Sequence, residues 1–264
     1  MRAKKRYGQH FLEAAWADKL AAAIRPQPDD RFVEIGPGPG ALTLRLAPHV
    51  ARLTAVELDP AMVQLLRPRL PPNVTLVEAD FLEFDLAPLV AEGPLRAAGN
   101  LPYNVASPIL FTLIAAHRRL GRIVDATLMV QREVAVRLYA APGSRDYGVL
   151  SIMVQLHADV RPLLALPPGA FRPMPKVHSS VVQLTFRPPA VPLRDEAAFE
   201  AMVRTMFGQR RKMLVNALRP YAESRNQDAA AALAAASIDG RRRPETLQLT
   251  ELARLAEFFA TGLP

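Results

Sequence analysis

The segment Asn100–Tyr103, with the sequence Asn-Leu-Pro-Tyr, combines groups that could activate an exocyclic amino group. An adenine N6 is a poor nucleophile because its lone pair is delocalised into the ring. The side-chain carbonyl of Asn100 and the backbone carbonyl of Leu101 could accept its two hydrogens and free that lone pair, while Pro102 fixes the turn. The ring of Tyr103 could stack on a flipped-out base. The segment therefore predicts N6 methylation by alignment and desolvation, although the tetrapeptide alone is an ordinary turn.

A glycine loop at residues 34–41, Glu-Ile-Gly-Pro-Gly-Pro-Gly-Ala, joins a predicted strand to a predicted helix, where open α/β sheets bind ligands. Gly36 and Gly38 allow a ligand to approach the backbone closely. The spacing also fits a dinucleotide fingerprint, but Glu34 would repel a pyrophosphate and the two prolines remove N–H donors. A Walker loop is excluded, because no Gly-Lys-Ser/Thr occurs. The loop therefore favours a cationic nucleoside cofactor, S-adenosylmethionine.

Two further carboxylates follow predicted strands. Glu57 ends the second strand, 21 residues after Gly36, where it could accept hydrogen bonds from ribose hydroxyls; Leu58 beside it is included among the cofactor-binding residues. Asp80 closes the third strand and could accept from an adenine amino group while the ring of Phe81 packs on the purine. An Asp at such a position is also a common helix cap, and a Phe a common core residue.

Short β-branched runs alternate with helical patterns between residues 31 and 131. The predicted strands cover 31–36, 52–57, 73–80, 95–99 and 123–131. This alternation predicts right-handed βαβ units and a doubly wound, mostly parallel α/β sheet. Two further β-rich stretches are predicted at 149–160 and 177–186, on either side of a Pro-rich loop at 167–176.

The pattern changes at residues 188–192, Pro-Pro-Ala-Val-Pro. Beyond it every patterned stretch is helical, with predicted helices at 195–208, 211–222, 228–237 and 246–260. We therefore predict a cofactor-binding catalytic domain at 1–190 and a small all-α domain at 191–264.

Charge is distributed unevenly along the chain. The net charge is +8, and 28 of the 33 basic residues are Arg. Residues 29–110 carry a net −4, whereas 1–28 and 111–190 carry +4 and +6. A compositional bias would spread Arg evenly, so the distribution favours a polyanionic partner such as nucleic acid.

Several classes are excluded by composition. The absence of Cys rules out disulfides, thiolate catalysis and Cys-ligated metals. The five His residues are scattered without a His-x-x-x-His pair, so no metal is expected. No apolar run approaches the roughly 18 residues of a membrane span, and no apolar core follows the basic N-terminus as in a signal peptide. We expect a cytoplasmic protein without membrane contact.

Taken together, these motifs resemble the ribosomal RNA adenine N6,N6-dimethyltransferases, and among them the branch that acts on the small ribosomal subunit. The resemblance runs nearly end to end. It is carried by 6–12 (Arg-Tyr-Gly-Gln-His-Phe-Leu), 33–43, Glu57, Asp80–Phe81, 100–104, 131–134, Tyr147–Gly148, 167–182 and 207–216. His10 stands where many members have Asn.

The resemblance implies a Rossmann-like class I S-adenosylmethionine-dependent methyltransferase with a helical C-terminal domain for rRNA recognition. It implies catalysis at Asn100–Tyr103. The implied cofactor contacts are His10, Leu12, Gly36, Glu57, Asp80 and Asn100. The implied substrate is 16S rRNA in the immature small ribosomal subunit, where two adjacent adenines of the 3′-terminal hairpin loop become N6,N6-dimethyladenosine.

Basic residues are candidate phosphate contacts, although a charge run is more often a solvated face. The candidates are Lys4, Lys5, Arg6, Arg210, Arg211 and Lys212. The run 210–212 opens a predicted helix, where positive charge is unfavourable unless it meets an anion. The role of Arg241–Arg243 stays open.

Three alternatives remain. A large-subunit methyltransferase of the macrolide-resistance type shares the cofactor and Asn100-type motifs. A non-catalytic assembly factor would keep the fold and the RNA surface. A nicotinamide oxidoreductase would need a Tyr-x-x-x-Lys pair or a substrate-binding Arg in a second domain, and the helical tail supplies neither. A monomer is expected.

Overall fold

A seven-stranded sheet and a two-stranded sheet occur in the described part of the chain, residues 10–261 of a computed structural model. The strands are β1 (Phe11–Leu12), β2 (Arg31–Ile35), β3 (Arg52–Glu57), β4 (Val74–Glu78), β5 (Leu95–Asn100), β6 (Ile123–Gln131), β7 (Ala158–Leu166), β8 (Phe171–Arg172) and β9 (Ser179–Phe186). The larger sheet has the order β4-β3-β2-β5-β6-β9-β7. Strands β2 to β6 pair in parallel, and β9 is antiparallel to β6. The predicted doubly wound, mostly parallel sheet is confirmed.

Helices cover the intervening segments and most of the C-terminal part. They are α1 (Ala14–Ile24), α2 (Thr43–Leu46), α3 (Pro60–Leu66), α4 (Ala87–Ala91), α5 (Ala106–Leu120), α6 (Arg132–Leu138), α7 (Val149–His157), α8 (Glu196–Gly208), α9 (Leu214–Glu223), α10 (Ala229–Ala235) and α11 (Leu249–Thr261). The predicted helical C-terminal region is confirmed as α8 to α11. Asp195 caps α8 by accepting from the Ala198 N–H at 2.9 Å, and Asp228 caps α10 through the Ala231 N–H at 2.7 Å.

The central strands are buried on both faces, which explains why their sequences are continuous apolar runs. In β2, Phe32 and Val33 point to opposite faces and both are almost fully buried. Helix α1 packs Leu20 and Ile24 into the same core as Phe32. The core therefore holds β2 rigidly, and with it the loop that follows.

The strand order brings the predicted motifs to one edge of the sheet. Strands β2 and β5 are neighbours although they are not consecutive in the chain, so the order reverses between them. Ligands bind at such a switch point, outside the carboxyl ends of the strands. The glycine loop follows β2, Glu57 ends β3, Asp80 follows β4, and Asn100 ends β5.

The prediction of a β-rich stretch at 149–160 was wrong. Residues 149–157 form the helix α7, and the strand β7 begins only at Ala158. The run Ser151–Leu156 is mostly buried, including Ile152 and Val154. A helix that is apolar on nearly all sides has no polar stripe, so its sequence shows the same unbroken apolar run as a buried strand.

The predicted Pro-rich loop contains a strand that the sequence did not reveal. Within 167–176, β8 pairs antiparallel with β1, and Leu12 lies opposite Phe171. The N–H of Glu13 donates to the carbonyl of Ala170 at 2.9 Å, and the guanidinium of Arg172 lies 3.1 Å from the Glu13 carboxylate. These contacts fix residues 11–13 against the 170–172 segment.

Contacts between Cα atoms divide the chain into two units. The first contains the described residues up to Ala135 and Asp159–Arg187; the second contains Val136–Ala158 and the described residues from Pro188 onward. The observed break after Arg187 lies close to the predicted boundary at 190/191. Residues 136–158, however, were predicted in 1–190 and belong to the second unit.

Helix α7 explains the difference in assignment, because it packs against α8 within the second unit. The His157 Nε2 lies 3.0 Å from the Glu196 carboxylate. The N–H of Ala190 donates to the carbonyl of Leu156 at 2.8 Å. Such long-range contacts cannot be read from a local sequence pattern.

Candidate active site

A cavity of about 330 Å³ opens at the carboxyl ends of β2 to β5 in the first unit. All twelve residues predicted for cofactor binding and catalysis line it: His10, Leu12, Gly36, Gly38, Glu57, Leu58, Asp80, Phe81, Asn100, Leu101, Pro102 and Tyr103. They come from five separate segments of the sequence, and the sheet brings them together. Of the predicted RNA-binding residues, Lys4, Lys5 and Arg6 lie outside the described residues, and Arg210, Arg211 and Lys212 belong to the second unit.

The glycine loop takes a backbone path that other residues would strain. Gly36, Gly38 and Gly40 have φ values of 65°, 55° and 87°, in the left-handed region that glycine adopts at low cost. A Cβ on Gly38 would lie in ordinary van der Waals contact with the ring of Phe11, at 3.5 Å, so the backbone conformation and not the space requires glycine there. The loop is therefore glycine-rich for conformational reasons, and its bare backbone forms one wall of the cavity.

The Glu57 carboxylate is held by backbone donors. One oxygen, Oε2, accepts from the Gly38 N–H at 2.9 Å, and Oε1 accepts from the Asp59 N–H at 2.8 Å. Burial raises the pKa of Glu57, and these N–H groups oppose that rise by stabilising the charged form. A carboxylate oxygen has two lone pairs, so each oriented oxygen can accept a second hydrogen bond from a ligand.

Glu34 is a buried carboxylate that lines the same cavity. It is only 2% exposed, and its Oε2 has no hydrogen-bond partner among the described residues. Burial, opposed by Thr43 and reinforced by the charge of Glu57, raises the pKa of Glu34 to about 7. A positively charged ligand would compensate this carboxylate, as the sequence argument expected.

Asp80 and Phe81 form another part of the cavity wall. Asp80 Oδ1 accepts from the Leu82 N–H at 2.9 Å, which closes a turn after β4. Phe81 is almost fully buried, whereas Leu58 is 48% exposed. The turn-forming role of Asp80 is thus present in the structure, and its contact with adenine stays a prediction.

The predicted catalytic segment is held at its first two residues. The Leu101 N–H donates to the carbonyl of Met129 at 3.0 Å, and the Asn100 Nδ2 donates to the carbonyl of His10 at 2.9 Å. Because a carbonyl can only accept, this second bond identifies the nitrogen end of the Asn100 amide. The Oδ1 of Asn100 is therefore an acceptor in the cavity wall, as activation of an amino group requires.

Tyr103 is held by contacts that the sequence did not indicate. Its hydroxyl shares a 3.0 Å hydrogen bond with the Ser179 Oγ, and its ring stacks on the His10 imidazole with centroids 5.6 Å apart. The His10 Nδ1 lies 2.7 Å from the carbonyl oxygen of Pro173. Ser179 and Pro173 are more than 70 residues away in sequence from Tyr103 or His10, so only the folded chain shows these contacts.

In the second unit, the candidate run 210–212 lies in the turn before α9 and not inside a helix. Arg210 is engaged within the unit, because its Nη2 donates to the Ser144 carbonyl at 3.0 Å and its Nε lies 3.7 Å from the Glu245 carboxylate. Arg211 and Lys212 are exposed.

Of the run left open at Arg241–Arg243, Arg241 pairs with Asp239 at 2.9 Å and Arg242 with Glu251 at 2.5 Å, while Arg243 is exposed.

No group of three or more His, Cys, Asp or Glu residues between positions 10 and 261 is arranged to hold a metal ion. Over the same residues, no helix has both the length and the apolar character needed to cross a membrane.

The fold and the cavity define a class I S-adenosylmethionine-dependent methyltransferase. The family model described as ribosomal RNA adenine dimethylase matches residues 1–260. The chain belongs to this family.

The chain is similar to curated proteins named ribosomal RNA small subunit methyltransferase A. That of Anaeromyxobacter sp. (strain K) is 46% identical over 97% of this chain and 93% of its own. That of Chromohalobacter salexigens is 44% identical over 99% of this chain and 93% of its own.

Two solved structures share the fold across nearly the whole chain. A dimethyladenosine transferase from Plasmodium falciparum has a TM-score of 0.79 at 24% identity and covers 96% of this chain and 98% of its own. The 23S rRNA methyltransferase ErmE has a TM-score of 0.69 at 28% identity and covers 95% of this chain and 99% of its own.

Proposed function

We propose that this chain transfers methyl groups from S-adenosylmethionine to N6 of two adjacent adenosines in the 3′-terminal hairpin loop of 16S rRNA, giving N6,N6-dimethyladenosines. The observation that carries the proposal is the orientation of the Asn100 amide, whose nitrogen is held by the His10 carbonyl, so that Oδ1 is the end of the amide left to accept from an amino group. The choice of the small subunit rests on the names of the curated relatives.

The residues around the cavity fit S-adenosylmethionine, which supplies a methyl group carried on a positively charged sulfur. Glu57 accepts from the ribose hydroxyls through its two oriented oxygens. Asp80 accepts from the adenine amino group, and Phe81 and Leu58 pack against the purine. Glu34 compensates the positive charge of the ligand. Leu12, Gly36 and Gly38 complete the walls through backbone and packing.

On the acceptor side, the Asn100 Oδ1 and the Leu101 carbonyl take the two amino hydrogens and draw N6 toward tetrahedral geometry. Pro102 fixes the spacing of these two acceptors, and the Tyr103 ring supports the base by stacking. As the new N–C bond forms, the S–CH₃ bond of the donor would break and leave a neutral thioether. The amino proton would become acidic at the same time and leave to solvent without a strong base. The rate therefore depends mainly on alignment and exclusion of water.

Recognition of RNA is assigned to basic residues in two parts of the sequence. Lys4, Lys5 and Arg6 precede the cavity segment, and Arg210, Arg211 and Lys212 belong to the second unit. We extend this set by a basic surface on the second unit, defined as Arg145, Arg211, Lys212 and Arg243, all of them exposed.

Contacts within the second unit support that surface. The Arg210–Ser144 hydrogen bond brings the segment of Arg145 to the turn 209–213, and the Leu214 N–H donates to the Arg242 carbonyl at 2.7 Å. In our proposal Arg210 acts mainly by holding this surface together, and its neighbours contact phosphates.

The proposed partner is the immature small ribosomal subunit, on which the protein acts as a monomer in the cytoplasm. A test incubates the full chain with labelled S-adenosylmethionine and small subunits that lack the modification, with large subunits as the control. The labelled nucleoside is identified after digestion. The proposal requires N6,N6-dimethyladenosine from small subunits only.

The fold shared with the 23S rRNA methyltransferase ErmE makes a large-subunit target the second candidate. Label in the large subunit would establish that candidate. Binding to small subunits without any transfer would instead establish an assembly factor that does not methylate.

A further inference from the structure

His10 contacts the catalytic segment at two points. Its backbone carbonyl accepts from the Asn100 Nδ2 at 2.9 Å. Its imidazole stacks on the Tyr103 ring, with centroids 5.6 Å apart and planes inclined by 24°. The backbone contact is available to any residue at position 10, but the stacking contact needs a planar ring.

The imidazole is itself held in place. Its Nδ1 lies 2.7 Å from the Pro173 carbonyl, and because that oxygen can only accept, Nδ1 carries the hydrogen. The residues that follow His10 are pinned by the pairing of β1 with β8, which places Phe11 opposite Arg172. The ring therefore has a fixed position between the Pro173 segment and Tyr103.

One face of the Tyr103 ring is thus occupied. An aromatic ring offers two faces for stacking, and the imidazole covers one of them at the geometry of an aromatic pair. The Tyr103 hydroxyl is tied to Ser179 at 3.0 Å, which limits rotation of the phenol ring away from the imidazole.

We propose that His10 is a positioning residue for the target adenine: its imidazole stacks against one face of Tyr103, so that the base stacks on the other face. This inference rests on the proposed function. It assigns the His10 side chain to the acceptor base, whereas the resemblance implied a contact with the cofactor.

The test compares His10→Phe, His10→Asn and His10→Ala in the full chain, with the exposed His49→Ala as the matched control. The rate of a single methyl transfer to unmodified small subunits is measured at saturating S-adenosylmethionine, and the Kd of S-adenosylmethionine is measured by calorimetry. Thermal unfolding of each variant reports any loss of folding.

Removal of the ring by His10→Ala or His10→Asn should slow transfer by about two- to tenfold, the range expected for loss of an aromatic pair. The Kd of S-adenosylmethionine should stay within about twofold, because the ring does not act on the cofactor. His10→Phe should keep most of the rate, since it restores the stack without the bond to Pro173.

Two results would overturn the inference. One is a raised Kd with an unchanged transfer rate in His10→Ala, which would make the side chain a cofactor contact. The other is a rate in His10→Phe as low as that in His10→Ala, which would show that stacking is not the reason for the ring.

A second readout separates failure of the inference from failure of the proposed function. An RNA hairpin with 2-aminopurine at the target position loses fluorescence when the base stacks on an aromatic ring. Stronger quenching by the wild type and His10→Phe than by His10→Ala supports the inference even if no methyl is transferred. Equal quenching by all three contradicts it even if methylation proceeds.

Discussion

In the first unit, the cavity carboxylates Glu34 and Glu57 are buried, and backbone N–H groups hold both oxygens of Glu57. In the second unit, Arg211 and Lys212 are exposed on a turn. A small ligand with a few polar groups needs acceptors at fixed positions. The phosphate backbone of RNA can instead be bound by several basic side chains, each of which contributes a part of the affinity. Substitutions should therefore be costly one at a time in the cavity and cumulative on the basic surface.

The largest effect is expected from Asn100→Ala, because it removes one of the two proposed acceptors for the amino hydrogens. Transfer should slow by about a hundred- to thousandfold, the size seen when one oriented polar group at a reacting centre is lost. The Kd of S-adenosylmethionine should change much less. Single-turnover transfer measures the effect, and Gln27→Ala, an exposed amide elsewhere in the first unit, is the control. A loss below tenfold would remove Asn100 from the catalytic assignment.

The next largest effect is expected from Glu57→Gln. Its amide nitrogen would face the N–H groups of Gly38 or Asp59, so that two donors meet in a buried site. The Kd of S-adenosylmethionine should rise on the order of a hundredfold, as calorimetry would show. Glu78→Gln, an exposed carboxylate at the end of the neighbouring strand, should leave it unchanged. A similar rise in both variants would mean that general charge, and not the held oxygens, determines affinity.

An intermediate effect should appear in the pH dependence of Glu34, whose pKa lies near 7 without ligand. The ionised form compensates a cationic ligand, so the affinity for S-adenosylmethionine should fall as pH drops from 8 to 6, by up to about tenfold per pH unit below the pKa. Glu34→Gln should flatten this profile. A wild-type Kd that does not vary over this range would contradict the role of Glu34.

The same group has the opposite effect on the ligand-free fold. Because the folded pKa lies above the ordinary value of 4.5, the stability that the protonated group contributes is present at low pH and is lost as pH rises through about 7. The loss is at most about 3 kcal/mol. Urea unfolding of wild type and Glu34→Gln at pH 5 and pH 8 measures it, and wild type should weaken more than Glu34→Gln, which keeps the raised pKa of Glu57.

The smallest single effects are expected on the basic surface. Arg211→Ala and Lys212→Ala should each weaken binding to small subunits by a few-fold. Each should also reduce the slope of log binding constant against log salt concentration by about one released counterion. The affinity for S-adenosylmethionine should stay constant. The control is Arg194→Ala, whose guanidinium pairs with Glu257 at 2.7 Å. Binding curves at several salt concentrations would contradict the surface assignment if the three variants behaved alike.

The sequence was informative about the cavity because its motifs lie at strand ends. Parallel strands bring their carboxyl ends to one edge, so Gly36, Glu57, Asp80 and Asn100 had to meet once the strands were recognised. The same reasoning located Glu34 before its burial was known. Residue type and order along the chain were sufficient to predict which residues line the cavity.

The sequence was less informative where long-range packing decides the structure. Helix α7 looked like a strand, because burial on nearly all sides removes the helical period from the pattern. The pairing of β1 with β8 and the stacking of His10 on Tyr103 join residues far apart in the chain. Arg210 looked like its two neighbours, but only the folded second unit shows that it is engaged by Ser144.

The division of the chain into two units determines when each unit can become complete during synthesis. The second unit is discontinuous: residues 136–158 leave the ribosome before the rest of β7 and before β9, and α8 to α11 follow last. The larger sheet is therefore still incomplete when α7 has been synthesised, and α7 cannot pack against α8 until that helix follows. A fragment 191–264 would lack α7 and the His157–Glu196 contact, so cutting at the predicted boundary 190/191 would not release a complete second unit. Each unit is completed only after synthesis of the other has begun.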